Sequence, residues 1–351
     1  MNIAFWLTSG TRFMNYDNWG KAPMGGAEIS AVHLGEELRK LGHKTTYYLG
    51  NIDPEIKKPE QDGLVIKRWN MIYNDELEYF ICVRPHPVLQ GDFGDAKKLL
   101  WSGDAFDQSS NDIFFDKRVA DSMYGYVFKT DWQRKKVLEK YYTIPPEKAS
   151  VIYNGYKSEW FNSDGNKPDP KRFIHTSTYY RGVKNFIDIW PEILKNIPDA
   201  ELHVFSKTSL YSPMAHSEGW AELAEQLIQI PGIIVREPVP QWILAKEMKK
   251  AWLMLYPNTG FVESSCGSAI QAIASGVPVI ATKRAGLIET VGRAGVLIDS
   301  NEEGWKENFV KAVVEMDSKK RKEIADYGFQ KMLNQTWKHQ AKEWEDYLKS
   351  L

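Results

Sequence analysis

The sequence predicts an α/β protein of two domains, each built around a parallel sheet, with a cleft between them. Short apolar strands alternate with amphipathic helices along nearly all of the 351 residues, which is typical of parallel sheets covered by helices. This length allows two separate cores. Residues 162–172 are polar and rich in glycine and proline, so they are the best candidate for a linker between the two halves.

The first half contains six predicted strands and two predicted helices. The strands are residues 3–8, 44–50, 79–85, 97–103, 125–130 and a short one within 144–156. The helices are residues 25–43, where apolar side chains recur at helical spacing, and residues 130–142. Gly42 suits the left-handed conformation that ends many helices, so we expect the first helix to end there.

The second half repeats the alternation of strands and helices. Its predicted strands are residues 172–178, 200–206, 232–239, 252–258, 276–282 and 295–299. Its predicted helices are residues 185–197, 241–251, 269–275 and 336–351. Because open α/β sheets bind ligands outside the carboxyl ends of their strands, we expect the functional site at those ends, in the cleft.

Composition and missing motifs disfavour several classes of protein. A net charge of -1 argues against a large basic surface for nucleic acid. Cys82 and Cys266 cannot form a disulfide framework, which favours a reducing compartment. The sequence opens on a strand and no apolar run approaches about 18 residues, so we expect a cytoplasmic protein without a signal peptide or membrane span. The sequence has no D-x-D, H-x-H, H-E-x-x-H or C-x-x-C pattern, so we expect no metal site and no cofactor.

The segment GFVESSCGSAIQAIASGVPVIAT, residues 260–282, combines an acidic loop, a helix and a buried strand. Glu263 lies in the loop, and Gln271 follows eight residues later, one turn into the helix. The free N–H groups at the start of this helix suit a phosphate or sugar oxygens, because the helix dipole adds partial positive charge there. Gly267 allows a ligand to approach the backbone closely. An ordinary serine-capped helix between two buried strands explains the same residues.

Two further segments place ligand-binding groups between a strand and a helix. In STYYRGVKNF, Arg181 and Lys184 are suited to clamp a diphosphate, although two solvated cations give the same pattern. In MGGAE, Gly25 and Gly26 precede a helix and offer backbone donors to a phosphate or an acceptor. Their spacing is not the dinucleotide fingerprint, and a plain helix entry is the alternative.

In their order along the chain, these motifs resemble the retaining GT-B glycosyltransferases of glycosyltransferase family four. GGAE, IYNG, RG-x-x-K and the acidic loop before ASGVPVIAT carry the resemblance, which covers essentially the whole chain. It implies two Rossmann-like domains facing across a cleft. Residues 1–165, completed by the C-terminal helix 336–351, would form the acceptor domain, and residues 166–335 the nucleotide-sugar-binding domain. The implied activity is metal-independent transfer of a hexose, with retention, from a UDP- or GDP-linked donor to an acceptor.

The resemblance also assigns roles to individual residues. Arg181 and Lys184 would hold the diphosphate, Glu263 would contact the transferred sugar, and Asp104 would be the fourth catalytic residue. The other donor-binding residues would be Gly25, Gly26, Val235, Val239, Cys266, Gly267, Ser268 and Gln271. Among these, the backbone of residues 266–268 would meet sugar and phosphate, the glutamine would reach the ribose, and the two valines would flank the base.

The sequence departs from the family pattern at two positions. The family carries Glu at both ends of E-x7-E, whereas the second position here is Gln271, whose amide binds a ribose diol less strongly than a charged group. Many relatives carry a His-Asp pair where this sequence has Gly103 and Asp104. The role of that histidine is therefore expected elsewhere, with His86 and Asp107 as candidates.

Other functions stay open at this point. A GT-B epimerase or phosphorylase is one alternative, and a non-catalytic protein that binds nucleotide sugars is another. The acceptor is open among a glycan, a lipid-linked sugar, a small metabolite and a modified nucleic-acid base. The sequence also allows a weak peripheral contact with a membrane.

Overall fold

A computed structural model gives the arrangement of these elements. It describes residues 1–7, 19–21, 24–50, 60–164, 168–206 and 217–351. The chain divides into two compact units, one formed by Met1–Gly155 with Trp337–Leu351 and the other by Tyr156–Thr336. Those parts of the predicted linker, residues 162–172, that the structure describes belong to the second unit.

The described residues form strands, α-helices and short 3-10 helices. The strands are β1 (Asn2–Leu7), β2 (Lys44–Leu49), β3 (Glu60–Gln61), β4 (Leu64–Arg68), β5 (Tyr79–Val83), β6 (Lys97–Ser102), β7 (Gly125–Phe128), β8 (Ala149–Val151), β9 (Asp169–Thr176), β10 (Glu201–Phe205), β11 (Ile233–Arg236), β12 (Ala251–Tyr256), β13 (Val279–Thr282) and β14 (Gly295–Ile298). The α-helices are α1 (Gly26–Lys40), α2 (Lys117–Ser122), α3 (Asp131–Lys140), α4 (Phe186–Asn196), α5 (Ser217–Ile228), α6 (Gln241–Met248), α7 (Gly267–Ala274), α8 (Leu287–Val291), α9 (Trp305–Val314), α10 (Ser318–Met332) and α11 (Trp337–Ser350). The 3-10 helices are Trp69–Asn74, Pro87–Gln90, Ser109–Phe115, Pro146–Lys148, Val183–Asn185 and Gly292–Ala294.

The first unit is built on an eight-stranded sheet of order β3-β4-β2-β1-β5-β6-β7-β8. All neighbouring strands are parallel except β3 and β4, which are antiparallel. β1 is the point where the strand order reverses, since the chain proceeds from it to β2 on one side and later to β5 on the other. Parallel strands covered on both faces read as continuous apolar runs, which is why most of them are predictable from sequence.

The last helix, α11, packs against the sheet of the first unit. Its buried residues recur on one helical face, and they share a core cluster with Trp101 of β6. The rings of Trp344 and Trp337 lie 5.2 and 6.3 Å from that of Trp101. The Tyr79 hydroxyl donates to the Leu348 carbonyl at 2.9 Å. The C-terminal helix is therefore part of the first hydrophobic core, although its sequence lies far from the rest of that unit.

The second unit is built on a fully parallel six-stranded sheet of order β11-β10-β9-β12-β13-β14. Counted from the start of the unit, this order is 3-2-1-4-5-6, the order of the nucleotide-binding Rossmann fold. Alternate strand residues enter separate apolar clusters on the two faces, as Phe173 and Ile174 do in β9. β9 and β12 are therefore neighbours at the topological switch point, the usual ligand-binding position in such sheets.

The structure also shows the state of the two cysteines and the character of the helices. Cys82 and Cys266 are both buried free thiols. Among the helices of the described residues, none is both long and apolar enough to cross a lipid bilayer.

Candidate functional site

The candidate donor site lies at the carboxyl ends of β9 and β12, where two loops meet. The loop after β9 carries Arg181 and Lys184, and the loop after β12 carries Glu263. Because the chain leaves these neighbouring strands toward helices on opposite sides, the strand ends leave a crevice between the loops. The sequence-predicted diphosphate clamp and the acidic loop are thus brought together by the strand order.

Gly182 joins the two loops by close backbone contact. Its φ is +96°, and a Cβ on it would lie 2.3 Å from the Pro257 carbonyl oxygen and 2.7 Å from the Asn258 nitrogen. The Asn185 amide then donates to the same Pro257 oxygen at 2.7 Å and to the Thr259 hydroxyl at 3.2 Å. Only glycine adopts this conformation and this contact without strain. The loop that carries Arg181 is therefore fixed against the loop that carries Glu263.

Arg181 is held by a carboxylate and by aromatic rings. Its Nη1 lies 3.2 Å from Oε1 and 3.5 Å from Oε2 of Glu263. Its guanidinium carbon lies 4.4 Å from the ring centroid of Phe261 and 5.8 Å from that of Tyr180. The Asn258 side chain fixes Phe261, donating to its carbonyl at 2.9 Å and accepting from its N–H at 3.0 Å. The Arg181 side chain is still 23% exposed, so its guanidinium is open to a ligand.

Glu263 is a buried carboxylate that contacts both Arg181 and Tyr256. The residue is 2% exposed, and its Oε1 accepts from the Tyr256 hydroxyl at 2.5 Å. Burial, with smaller contributions from Cys266 and from the carboxylate, raises the pKa of Tyr256 well above its usual value. The hydroxyl therefore stays protonated and donates. These contacts give the carboxylate a role in holding Arg181, whereas its contact with the transferred sugar stays a prediction.

His175 and Cys266 border this group of side chains as neutral residues. The Nδ1 of His175 faces the Leu255 carbonyl at 2.9 Å, so it carries the proton and donates, and the ring stacks on Tyr256. Burial is the largest cause that lowers the pKa of His175, to about 4. The hydrogen bond to the Leu255 carbonyl raises this pKa, and the Arg181 charge lowers it further. Burial and then the Glu263 charge raise the pKa of the Cys266 thiol to about 12. Neither residue carries a charge near neutral pH, so Arg181 and Glu263 are the charges of this group.

The start of α7 offers backbone donors next to the acidic loop. The helix begins at Gly267 after Cys266, whose side chain makes no capping hydrogen bond. The alternative of an ordinary serine-capped helix is therefore not what forms. Gly267 is exposed and a Cβ on it would meet no atom within 4 Å among the described residues. Ser268 and Gln271 follow in the first turns and are half-buried. This open helix start is suited to a phosphate.

Gly286, which lies between β13 and α8, contacts the acidic loop. Its N–H donates to the Glu263 carbonyl at 2.8 Å, and a Cβ on it would lie 2.2 Å from the Ser264 carbonyl oxygen. No sequence pattern singles out Gly286, Asn258 or Phe261, because their contacts lie between loops distant in sequence. Gly182 is part of the RG-x-x-K motif, which is the one sequence signal that marks these supporting residues.

Other predicted donor residues of the second unit lie at different places in its fold. Lys184 is exposed in the 3-10 helix Val183–Asn185. Val235 lies in β11 and packs against the apolar cluster on one face of the sheet, and Val239 packs against the cluster on the other face. Both valines are half-buried. Their contact with a base stays a prediction.

The predicted residues of the first unit lie at the carboxyl edge of its own sheet. Gly25 caps α1 and the exposed Gly26 begins it. Asp104 follows β6 and is 5% exposed, with its Oδ2 accepting from the Ser110 hydroxyl at 2.9 Å. His86 is a satisfied turn histidine, since its Nδ1 accepts from the Val88 N–H at 3.1 Å and burial lowers its pKa.

Asp107, the other candidate for the missing histidine's role, is exposed. Across the described ranges, no cluster of three or more His, Cys, Asp or Glu side chains is arranged to hold a metal ion.

The chain matches one protein family over part of its length and several solved structures over nearly all of it. Residues 170–316, which contain both loops of the candidate donor site, match the family described as glycosyl transferases group 1. A search of curated protein sequences finds no match.

Among solved structures, the chain is similar to Anabaena HepE in complex with UDP-glucose, with a TM-score of 0.77, 14% identity and full coverage of both chains. It is also similar to sucrose-phosphate synthase from Thermosynechococcus elongatus, with a TM-score of 0.76 and 12% identity over 99% of this chain and 98% of that one. WaaG, a glycosyltransferase involved in lipopolysaccharide biosynthesis, gives a TM-score of 0.69 and 14% identity over 99% of each chain. The fold is therefore that of the GT-B glycosyltransferases.

Proposed function

We propose that this chain is a retaining glycosyltransferase that moves a hexose from a UDP- or GDP-linked donor to an acceptor. The second unit, Tyr156–Thr336, binds the donor and the first unit binds the acceptor. The observation that carries the proposal is the Arg181–Glu263 pair at the switch point of the second sheet, close in sequence to the open start of α7. The family match of residues 170–316 and the UDP-glucose bound to HepE support this donor class.

In the proposed reaction, the second unit assists departure of the diphosphate. As the bond between the anomeric carbon and the phosphate oxygen breaks, negative charge grows on the diphosphate. Arg181, Lys184 and the N–H groups at the start of α7 stabilise that charge. Arg181 needs little reorganisation, because Glu263 and Phe261 already hold its guanidinium. These groups supply the positive charge, so we propose that the enzyme needs neither a metal ion nor a cofactor. We also propose that it is cytoplasmic.

Donor binding without a metal ion is the direct test of this function. We expect calorimetric titration with UDP-, GDP- and ADP-glucose to show binding of at least one of them, with unchanged affinity in EDTA. A donor that binds only when a divalent metal is present contradicts the metal-independent part. Failure of all three nucleotide sugars to bind contradicts the donor class.

Gln271 is expected to contribute to nucleotide binding more than to turnover. Replacing it with alanine removes neutral hydrogen bonds to the ribose, so affinity for free UDP or GDP should fall by about 1 kcal/mol, or roughly fivefold. Gln271→Glu should keep or raise that affinity, because a charged acceptor binds a diol more strongly. Calorimetry with the free nucleoside diphosphate measures both changes.

Gln226→Ala is a matched control for the glutamine, since Gln226 lies on the exposed face of α5. It should leave nucleotide affinity unchanged.

Glu263→Ala should instead lower turnover and selectivity for the sugar. If Glu263→Ala weakens binding of the free nucleotide more than Gln271→Ala does, the two residues have been assigned to the wrong ends of the donor.

A further inference from the structure

A group of charged side chains lies at the carboxyl edge of the first unit's sheet. Arg84 follows β5, Asp104 follows β6 and Lys129 follows β7, and these three strands are consecutive neighbours in the sheet. Glu28 lies in the first turn of α1, and its negative charge raises the pKa of Lys129. Two cations and two carboxylates therefore converge at an edge where α/β sheets bind ligands.

Lys129 occupies the space that Gly103 leaves. Its Nζ lies 2.9 Å, and its Cε 3.2 Å, from the position that a Cβ on Gly103 would take. The ammonium also lies 5.1 Å from the ring centroid of Trp101. Any side chain at position 103 would displace this lysine. The absence of a side chain at position 103 therefore leaves the space that the Lys129 ammonium occupies.

The backbone around Lys129 is fixed by one glutamine. Gln133 Oε1 accepts from the Lys129 N–H at 2.9 Å. The Gln133 amide donates to the Ser102 carbonyl at 3.1 Å and to the Asp104 carbonyl at 2.7 Å. One buried side chain therefore ties the end of β6 to the end of β7, which places Lys129 beside Asp104.

Lys129 is a buried cation with unused hydrogen-bonding capacity. The residue is 3% exposed, and the described part of the chain offers its ammonium no hydrogen bond and no ion pair. Asp104 has one oxygen bonded to Ser110, while its Oδ1 faces the Arg84 Nε at 3.7 Å, which is longer than a hydrogen bond. Burying a charge without such bonds costs free energy, so this arrangement is expected where a ligand completes it.

We propose that Lys129 and Asp104 bind the acceptor and that they select a neutral, polyhydroxylated one. A hydroxyl group accepts a hydrogen bond from the ammonium and donates one to the carboxylate, so it satisfies both side chains. A phosphate would be attracted by Lys129 and Arg84 but repelled by Asp104 and Glu28, so the group offers no excess positive charge to hold an anion. The proposal rests on the proposed function, because it concerns the acceptor of that transfer.

The protonation of Lys129 makes acceptor binding depend on pH. Burial is the largest cause that lowers the pKa of Lys129, to about 8, and the Arg84 charge adds to it, while Asp104 and Glu28 act in the opposite direction. The ammonium that donates to the acceptor is therefore lost as pH rises through about 8. Affinity for a neutral sugar should fall between about pH 7 and about pH 9, whereas UDP-glucose affinity should not follow this change.

The test measures binding of glucose, maltose and glucose 6-phosphate by saturation-transfer NMR with UDP present. Lys129→Met should weaken the neutral sugars about tenfold or more, since a charged hydrogen bond is lost, and leave UDP-glucose affinity within about twofold. Lys97→Met is the matched control: Lys97 lies 5.4 Å from the Tyr79 ring centroid at the opposite end of the same sheet. It should change neither affinity.

Three results overturn the inference while leaving donor binding intact. They are unchanged neutral-sugar binding in Lys129→Met, glucose 6-phosphate binding more tightly than glucose, and wild-type protein that binds none of the three sugars. The pH series uses unaltered protein, so it decides the point even if Lys129→Met does not fold. A wild-type protein that fails to bind any nucleotide sugar contradicts the proposed function instead.

Discussion

Replacing Arg181 with alanine is expected to lower turnover about 100- to 1,000-fold, the usual loss when one preorganised donor to a developing anion is removed. The guanidinium is already held by Glu263 and Phe261 before a ligand arrives, so it needs little reorganisation to stabilise the charge that grows as the diphosphate departs. The single change also leaves the Glu263 carboxylate buried without its cation. The free energy of unfolding should therefore fall by about 2–3 kcal/mol.

A double variant separates the two effects of Arg181. Arg181→Ala combined with Glu263→Gln removes the buried charge, so stability should recover while turnover stays low. Arg293→Ala is the control for loss of a stacked arginine, because the Arg293 guanidinium carbon lies 4.8 Å from the Tyr327 ring in the same unit. Transfer kinetics and urea unfolding measure both quantities. Near-normal turnover in Arg181→Ala would show that this residue does not hold the diphosphate.

Replacing Gly182 with alanine is expected to destabilise the second unit by about 3 kcal/mol or more. A left-handed conformation costs a residue with a Cβ about 1–2 kcal/mol. The new Cβ would also overlap the Pro257 carbonyl at 2.3 Å, so the two loops must separate. Turnover should fall as well, because that separation breaks the contact between Arg181 and Glu263. Urea unfolding and donor titration check the two parts.

Two other glycines separate the contributions to this loss. Gly42 has a φ of +88° and no described atom within 4 Å of a Cβ position, so Gly42→Ala should show the backbone cost alone. Gly267 has equally open space without a positive φ, so Gly267→Ala should leave stability nearly unchanged. It should weaken donor binding if a phosphate approaches the start of α7. A Gly182→Ala variant no less stable than Gly42→Ala would show that the loops accommodate the overlap.

Local sequence predicts most of this fold where burial produces a regular pattern. The six predicted strands of the second half all form, and Gly42 follows α1 with a positive φ as its position suggests. β9 begins at Asp169, inside the segment predicted as a linker, because pairing with β12 extends it beyond its apolar residues. Strands β3 and β4 and helices α2, α5, α8, α9 and α10 are not predicted. In α10 the reason is that few residues are buried and charged residues are spread along the helix.

The residue types of the candidate donor site are predictable from the sequence: Arg181 and Lys184 follow one strand, and Glu263 and Gly267 follow another. That Arg181 and Glu263, 82 residues apart, form an ion pair is known only from the fold. The physical reason is that this contact depends on β9 lying beside β12, and strand order is set by the packing of the whole sheet. The same holds for Lys129, whose position beside Asp104 follows from the neighbouring β6 and β7 and from the space left at Gly103.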